Sequence, residues 1–173
     1  MTSYRLIAAL PSAYAAKASE FCLASARDDD LERAMDEQPR LMLSDTRAIP
    51  QIGLGVLRTA NDHAASVVSA ALRAGYRHVD TAAIYENEQG VGEGLRQSEV
   101  PREDVFITTK LWNTEQGFDS TLRAFDDSIG RLGVDYVDLY LIHWPAPDRG
   151  LYVDTWKALI RLREEGRAKS IGV

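Results

Sequence analysis

The chain has 173 residues, 45% of them hydrophobic and 27% charged, with a net charge of −6. That size supports one ordinary domain with a buried core, and so average a composition excludes wholesale disorder. The acidic balance argues against a nucleic-acid partner, no apolar run reaches the ~18 residues of a membrane span, and the lone cysteine, Cys22, excludes a disulfide framework and fits a reducing, cytoplasmic compartment.

At the N-terminus, Arg5 precedes Leu6-Ile7-Ala8-Ala9-Leu10 and then mostly small residues through Ala18, the outline of a secretory signal. Pro11, Ser12 and Tyr14 interrupt it, and only one basic side chain leads it. Residues 1–34 are therefore expected to be a poorly structured extension, with Met35 as the alternative start, and 35–173 to be the folded part. Leu41–Leu43 and Arg47–Ile49 flank the turn-prone Ser44-Asp45 and predict a short hairpin.

Strand-like segments follow at Ile52–Val56, His78–Thr81, Val105–Thr109, Val137–His143 and Ala168–Val173. Helical spacing fills the intervals. Ala64, Val67, Val68, Ala71 and Leu72 share one face, with Asn61 or Asp62 as the cap and Gly75 as the stop. Asn87–Gln97 predicts a weaker helix, diluted by Gly90, Gly92 and Gly94, whose spacing fails the dinucleotide fingerprint and suits close helix packing instead. Phe118, Leu122, Phe125, Ile129 and Leu132 line another helix ended by Gly133, and Val153, Trp156, Leu159 and Ile160 line the last, ended by Gly166. Strands alternating with helices predict an α/β fold with a parallel sheet, either barrel or doubly wound. The strands begin 26 to 32 residues apart. A closed (β/α)8 barrel takes about 250 residues, so the expected architecture is a partial TIM barrel, five parallel strands of eight, preceded by the hairpin.

In such a fold, reactive groups gather where strands end. Asp80, Lys110 and His143 stand at three predicted strand ends, and Tyr85 follows Asp80 by five residues. A free tyrosine, with a pKa of about 10, is a reluctant acid; a nearby ammonium favours its phenolate, and an aspartate can hold that ammonium in place. Tyrosine then serves as general acid toward a developing alkoxide, while a histidine orients the substrate oxygen. Those are the groups that carbonyl reduction by hydride requires, the hydride coming from a cofactor. A metal cluster of His78, Asp80 and His143 lacks further ligands at comparable spacing.

At these residues the sequence resembles the aldo-keto reductases. Ile52-Gly53-Leu54-Gly55, "GYRHVDTAAIYENEQGVGEGL" from Gly75, "VFITTKLWN" from Val105, "LGVDYVDLYLIHWP" from Leu132 and "AKSIGV" from Ala168 match in order, across residues 41–173. The resemblance is strongest to bacterial members of the diketogluconate-reductase type. It implies a (β/α)8 barrel, a small carbonyl substrate, and NADPH as cofactor. It also implies a catalytic set in which Tyr85 is the acid, Lys110 and Asp80 tune it, and His143 orients the substrate. Trp112 and Trp144 match positions lining the substrate pocket, with His143 beside them, and Gly55 and Asp80 match cofactor-contacting positions. Val56 and Leu57 stand where many relatives carry threonine and an aromatic residue, so that pocket wall is expected to differ. Most cofactor-holding residues of the family fall beyond Val173. A full-length form is expected to be monomeric, whereas five strands with unpaired edges are expected to self-associate. The alternative expectation is a catalytically inactive fragment, or a non-catalytic binding protein on the same fold.

Overall fold

A computed structural model describes residues 38–173; the extension and the Met35 start lie outside the described residues. The hairpin forms one residue away from its expected bounds, as β1 (Arg40–Met42) and β2 (Ala48–Pro50), with Leu41 opposite Ile49. Its turn closes through Leu43 and Arg47, helped by the Arg47 N–H donating to Asp45 Oδ1 at 3.2 Å.

The parallel sheet contains β3 (Leu54–Gly55), β4 (His78–Asp80), β5 (Phe106–Leu111), β6 (Val137–Ile142) and β7 (Ala168–Gly172), hydrogen-bonded in that order. A doubly wound sheet reverses its strand order at a switch point. Here the order never reverses, so the five strands follow one another as successive βα units of a barrel do. Helices α1 (Asn61–Arg73), α2 (Glu88–Ser98), α3 (Phe118–Leu132) and α4 (Tyr152–Glu164) pack each against the next. None of the described helices is long and apolar enough to cross a membrane.

Strand alternation divides the side chains between two faces. Val79, Ile107, Leu111, Tyr140 and Ile142 join Val68, Leu72, Val91, Phe125, Leu132, Leu159 and Leu162 in one buried core. Phe125 meets Tyr140 edge to face, 4.9 Å between centroids. Burial, then the Glu88 carboxylate, pushes the Tyr140 phenol up, so it stays neutral. Glu88 is itself buried, and its charge is held by Arg131 Nε at 2.8 Å and the Thr109 hydroxyl at 2.6 Å. A carboxylate so enclosed needs these partners, because burial disfavours an unpaired charge.

Several sequence expectations change, and two residues of the predicted apolar faces, Val67 on α1 and Phe118 on α3, lie exposed. Neither Asn61 nor Asp62 caps α1: Ala60 occupies that position, and Asn61 Oδ1 instead accepts the Gly90 N–H of α2 at 2.8 Å. A bond between helices has displaced a local one. On α4 the buried set is Thr155, Ala158, Leu159 and Leu162, while Val153 and Trp156 lie exposed. β3 is shorter than predicted, with Ile52 exposed.

The three glycines of α2 do serve close packing. A Cβ at Gly90 would stand 2.2 Å from the Asn61 carbonyl oxygen, one at Gly94 2.7 Å from that of Ala65, and one at Gly92 2.1 Å from that of Leu132. Alanine at Gly92 would gain about 1 kcal/mol in helix propensity. The contact with the rigid backbone of α3 outweighs that gain. Gly92→Ala is therefore expected to lower the midpoint of thermal unfolding, and an unchanged or raised midpoint would show that α2 and α3 can separate at no cost.

Candidate active site

Register brings the predicted residues together. Asp80 lies opposite Thr108 in the β4–β5 pair, and Lys110 follows on the same face of β5. The Lys110 ammonium donates to Asp80 Oδ1 at 2.5 Å and to the Thr81 carbonyl at 2.9 Å. Lys110 lies within β5 instead of just beyond it, because that strand runs two residues further than predicted. Its side chain is 13% exposed and that of Asp80 34%. So enclosed, the ammonium is held by a carboxylate and a carbonyl, in place of the water it has lost.

Tyr85 ends a single 3-10 turn, Ala83–Tyr85, after which Glu86 adopts the left-handed conformation with φ of 55°. Its ring centroid lies 5.2 Å from Lys110 Nζ and 5.7 Å from the His143 ring, at 80° to it. His143 follows β6 directly, and its backbone N–H continues the ladder to the Leu111 carbonyl at 3.1 Å. Trp112 meets the imidazole edge to face, with 5.3 Å between centroids, and Trp144 lies parallel to it at 6.4 Å. Trp144 is 60% exposed. Asp80, Tyr85, Lys110, His143, Trp112 and Trp144 thus form one cluster at the carboxyl ends of β4, β5 and β6.

Burial, followed by the Lys110 ammonium, pushes the His143 imidazole below its ordinary 6.5, against the opposing pull of Asp80. His143 is consequently neutral at pH 7 and can donate one ring N–H. Its Nδ1 is buried without a protein partner. Gly55 pairs with Asp80 across the β3–β4 ladder, and a Cβ there would meet nothing within 4 Å. Of the two residues expected to alter the pocket wall, Val56 belongs to the core and Leu57 is exposed.

Two residues that the sequence reading passed over hold these loops. Asn87, fully buried, bonds Thr81 and the carbonyls of Val56 and Thr59. Gln116, nearly as buried, donates from Nε2 to the Trp144 carbonyl at 2.8 Å, tying the loop after β5 to the loop after β6. Their partners are mostly distant backbone carbonyls, which leave no mark in the sequence. An amide in a loop is the only signal available, and it is a weak one.

Residues 51–173 match the aldo/keto reductase family model. An aldo-keto reductase of Mycolicibacterium smegmatis is 58% identical over 135 residues, which are 78% of this chain and 49% of the relative. The crystal structure of an aldo/keto reductase from Brucella melitensis superposes with a TM-score of 0.77 at 58% identity, covering 79% of this chain and 54% of that one. A Bombyx mori aldo-keto reductase solved in complex with NADP gives 0.73 at 40% identity, covering 79% and 50%. The chain belongs to the aldo/keto reductase family. It spans about half the length of the curated relatives it matches, and its five strands are a partial barrel of that fold.

Burial also pushes the His78 imidazole down, with Lys110 adding to the effect and Asp80 and Asp138 opposing it. For both histidines the unfolded chain binds protons more readily than the native one. Their stabilising contribution is therefore present above the unfolded pKa of 6.5 and is lost as pH falls through their lower native values. Two-dimensional NMR titration is expected to place both midpoints below 6.5, and the denaturation midpoint is expected to fall with pH over that window. A His143 midpoint above 6.5 would contradict the cause assigned here.

Proposed function

We propose that the protein is a reductase of aldehydes and ketones that uses NADPH, with Tyr85 as general acid. The observation that carries this reading is the convergence of Tyr85, Lys110, Asp80 and His143 at one mouth, with Lys110 Nζ 5.2 Å from the Tyr85 ring and 2.5 Å from Asp80. NADPH, when bound, supplies the hydride that the carbonyl carbon receives. Gly55, where an added Cβ would meet nothing within 4 Å, and Asp80, its partner in the β3–β4 pair, are the residues of this chain that would adjoin it.

Reduction places negative charge on the substrate oxygen, and the chain's own groups answer that charge. Tyr85 gives its phenolic proton to the oxygen as the C–H bond forms. The phenolate left behind is stabilised by the Lys110 ammonium, which Asp80 and the Thr81 carbonyl keep fixed. Solvent then returns the proton. Neutral His143 donates an N–H to the same oxygen and sets the direction from which it is protonated. Trp112 and Trp144, packed on the imidazole, would bound the substrate and suit small carbonyl compounds with an apolar or flat body.

The test uses the polypeptide as its native source makes it. NADPH fluorescence should be quenched at micromolar protein, and NADPH should be consumed in the presence of a short aldehyde. Tyr85→Phe keeps the ring and removes the proton, so kcat is expected to fall about 10²–10⁴-fold while NADPH quenching is retained. Failure of the parent protein to bind NADPH or to turn over any aldehyde would overturn the reading, as would a Tyr85→Phe variant of undiminished kcat.

A further inference from the structure

We propose that Asn87 is a positioning residue: its buried carboxamide staples the base of the loop that carries Tyr85 and fixes the Thr81 carbonyl on which the Lys110 ammonium rests. Asn87 precedes α2 at the position where an asparagine ordinarily caps the helix with its own side chain. Here it makes no such bond. Its side chain turns away from the helix instead. Oδ1 accepts the Thr81 hydroxyl at 2.8 Å, and Nδ2 donates to the carbonyls of Val56 at 2.8 Å and Thr59 at 2.9 Å. Two carbonyls demand the NH2 group, and the hydroxyl takes the remaining oxygen, so only one orientation of the amide satisfies all three.

Thr81 is held at three atoms. Its N–H donates to the Thr108 carbonyl at 2.9 Å, its hydroxyl donates to Asn87, and its carbonyl accepts from Lys110 at 2.9 Å. The Thr81–Asn87 bond therefore closes a short span with Tyr85 inside it, while the Val56 and Thr59 bonds anchor that span to the segment following Gly55. Thr81 and Asn87 are both fully buried, and water cannot replace either partner. Loss of the staple frees Tyr85 and the Lys110 acceptor together. In its statements about turnover this inference rests on the reductase reading above, whereas its statements about position rest on geometry alone.

Thr81→Val removes the hydroxyl at nearly constant volume. Lys110 Nζ lies 5.2 Å from the Tyr85 ring centroid, so the Lys110 side-chain signals are expected to carry a ring-current shift that NMR reads in the full chain. In Thr81→Val those signals and the Tyr85 ring signals are expected to move toward free amino-acid positions while the Val91 and Leu132 methyls stay unchanged. Thr81→Ser restores the hydroxyl and should restore the signals. Where the parent turns over, kcat of Thr81→Val is expected to fall about tenfold or more, with KM for the carbonyl within about twofold, as a displaced acid predicts. Should the valine variant not fold, Thr81→Ala removes the same hydroxyl without apolar bulk. Unmoved Lys110 and Tyr85 signals would overturn the proposal, as would a kcat within twofold of an active parent. A parent without turnover would sink the reductase reading and leave the NMR comparison to decide the staple.

Discussion

Asp80 opposite Thr108 in the β4–β5 ladder is the constraint on which the mouth depends. Side chains alternate along a strand, so this pairing puts His78, Asp80, Phe106, Thr108 and Lys110 on one face of the sheet. A slip of one residue would carry Lys110 to the other face, among Ile107 and Leu111, and would strand its charge in the core. The apolar side of β5 therefore protects the register of its polar side. The same residues that bury the helices decide which ammonium meets which carboxylate.

The ion pair so formed is not chiefly a source of stability. Two partly enclosed charges lose water, and their attraction roughly offsets that loss. What the pair secures is geometry. Lys110 has three N–H groups, and two are directed at Asp80 and the Thr81 carbonyl. An ammonium fixed at two points can sit near the Tyr85 ring without the rotamer freedom that a surface lysine keeps. His143 completes the arrangement from the next strand, its backbone extending the β5–β6 ladder and its imidazole kept neutral by burial and by the same ammonium.

Much of this was legible in the sequence because it follows from periodicity. The strand cores, the glycine stops and the strand-end placement of Asp80, Lys110 and His143 each need only local pattern and chain direction. What was not legible depends on bonds between segments distant in sequence. Asn61 has the chemistry of a cap, yet its side chain serves Gly90. Asn87 has it too, and serves Thr81, Val56 and Thr59. On α4, hydrophobicity favours Val153 and Trp156 as core positions, but Thr155 is the buried residue. Its hydroxyl accepts the Gly117 N–H at 2.8 Å and donates to the Leu151 carbonyl at 3.0 Å. A polar side chain with both its bonds made can occupy a buried position that hydropathy assigns to a neighbour.

These long-range bonds share a design. Asn87, Gln116 and Thr155 each bind main-chain groups in other segments, and each joins the loop after one strand to a loop or helix of the next unit. A backbone carbonyl is present whatever residue carries it, so the clasps leave the side chains at the mouth free to vary. Trp144 shows the consequence: Gln116 holds its carbonyl, while its indole, largely exposed, lies against His143. A loop held by its backbone can present a different side chain without losing its path. The strand ends hold Asp80, Lys110 and His143 at fixed positions, the turn after β4 brings Tyr85 to them, and the clasped loops form a rim that can be changed independently of these groups.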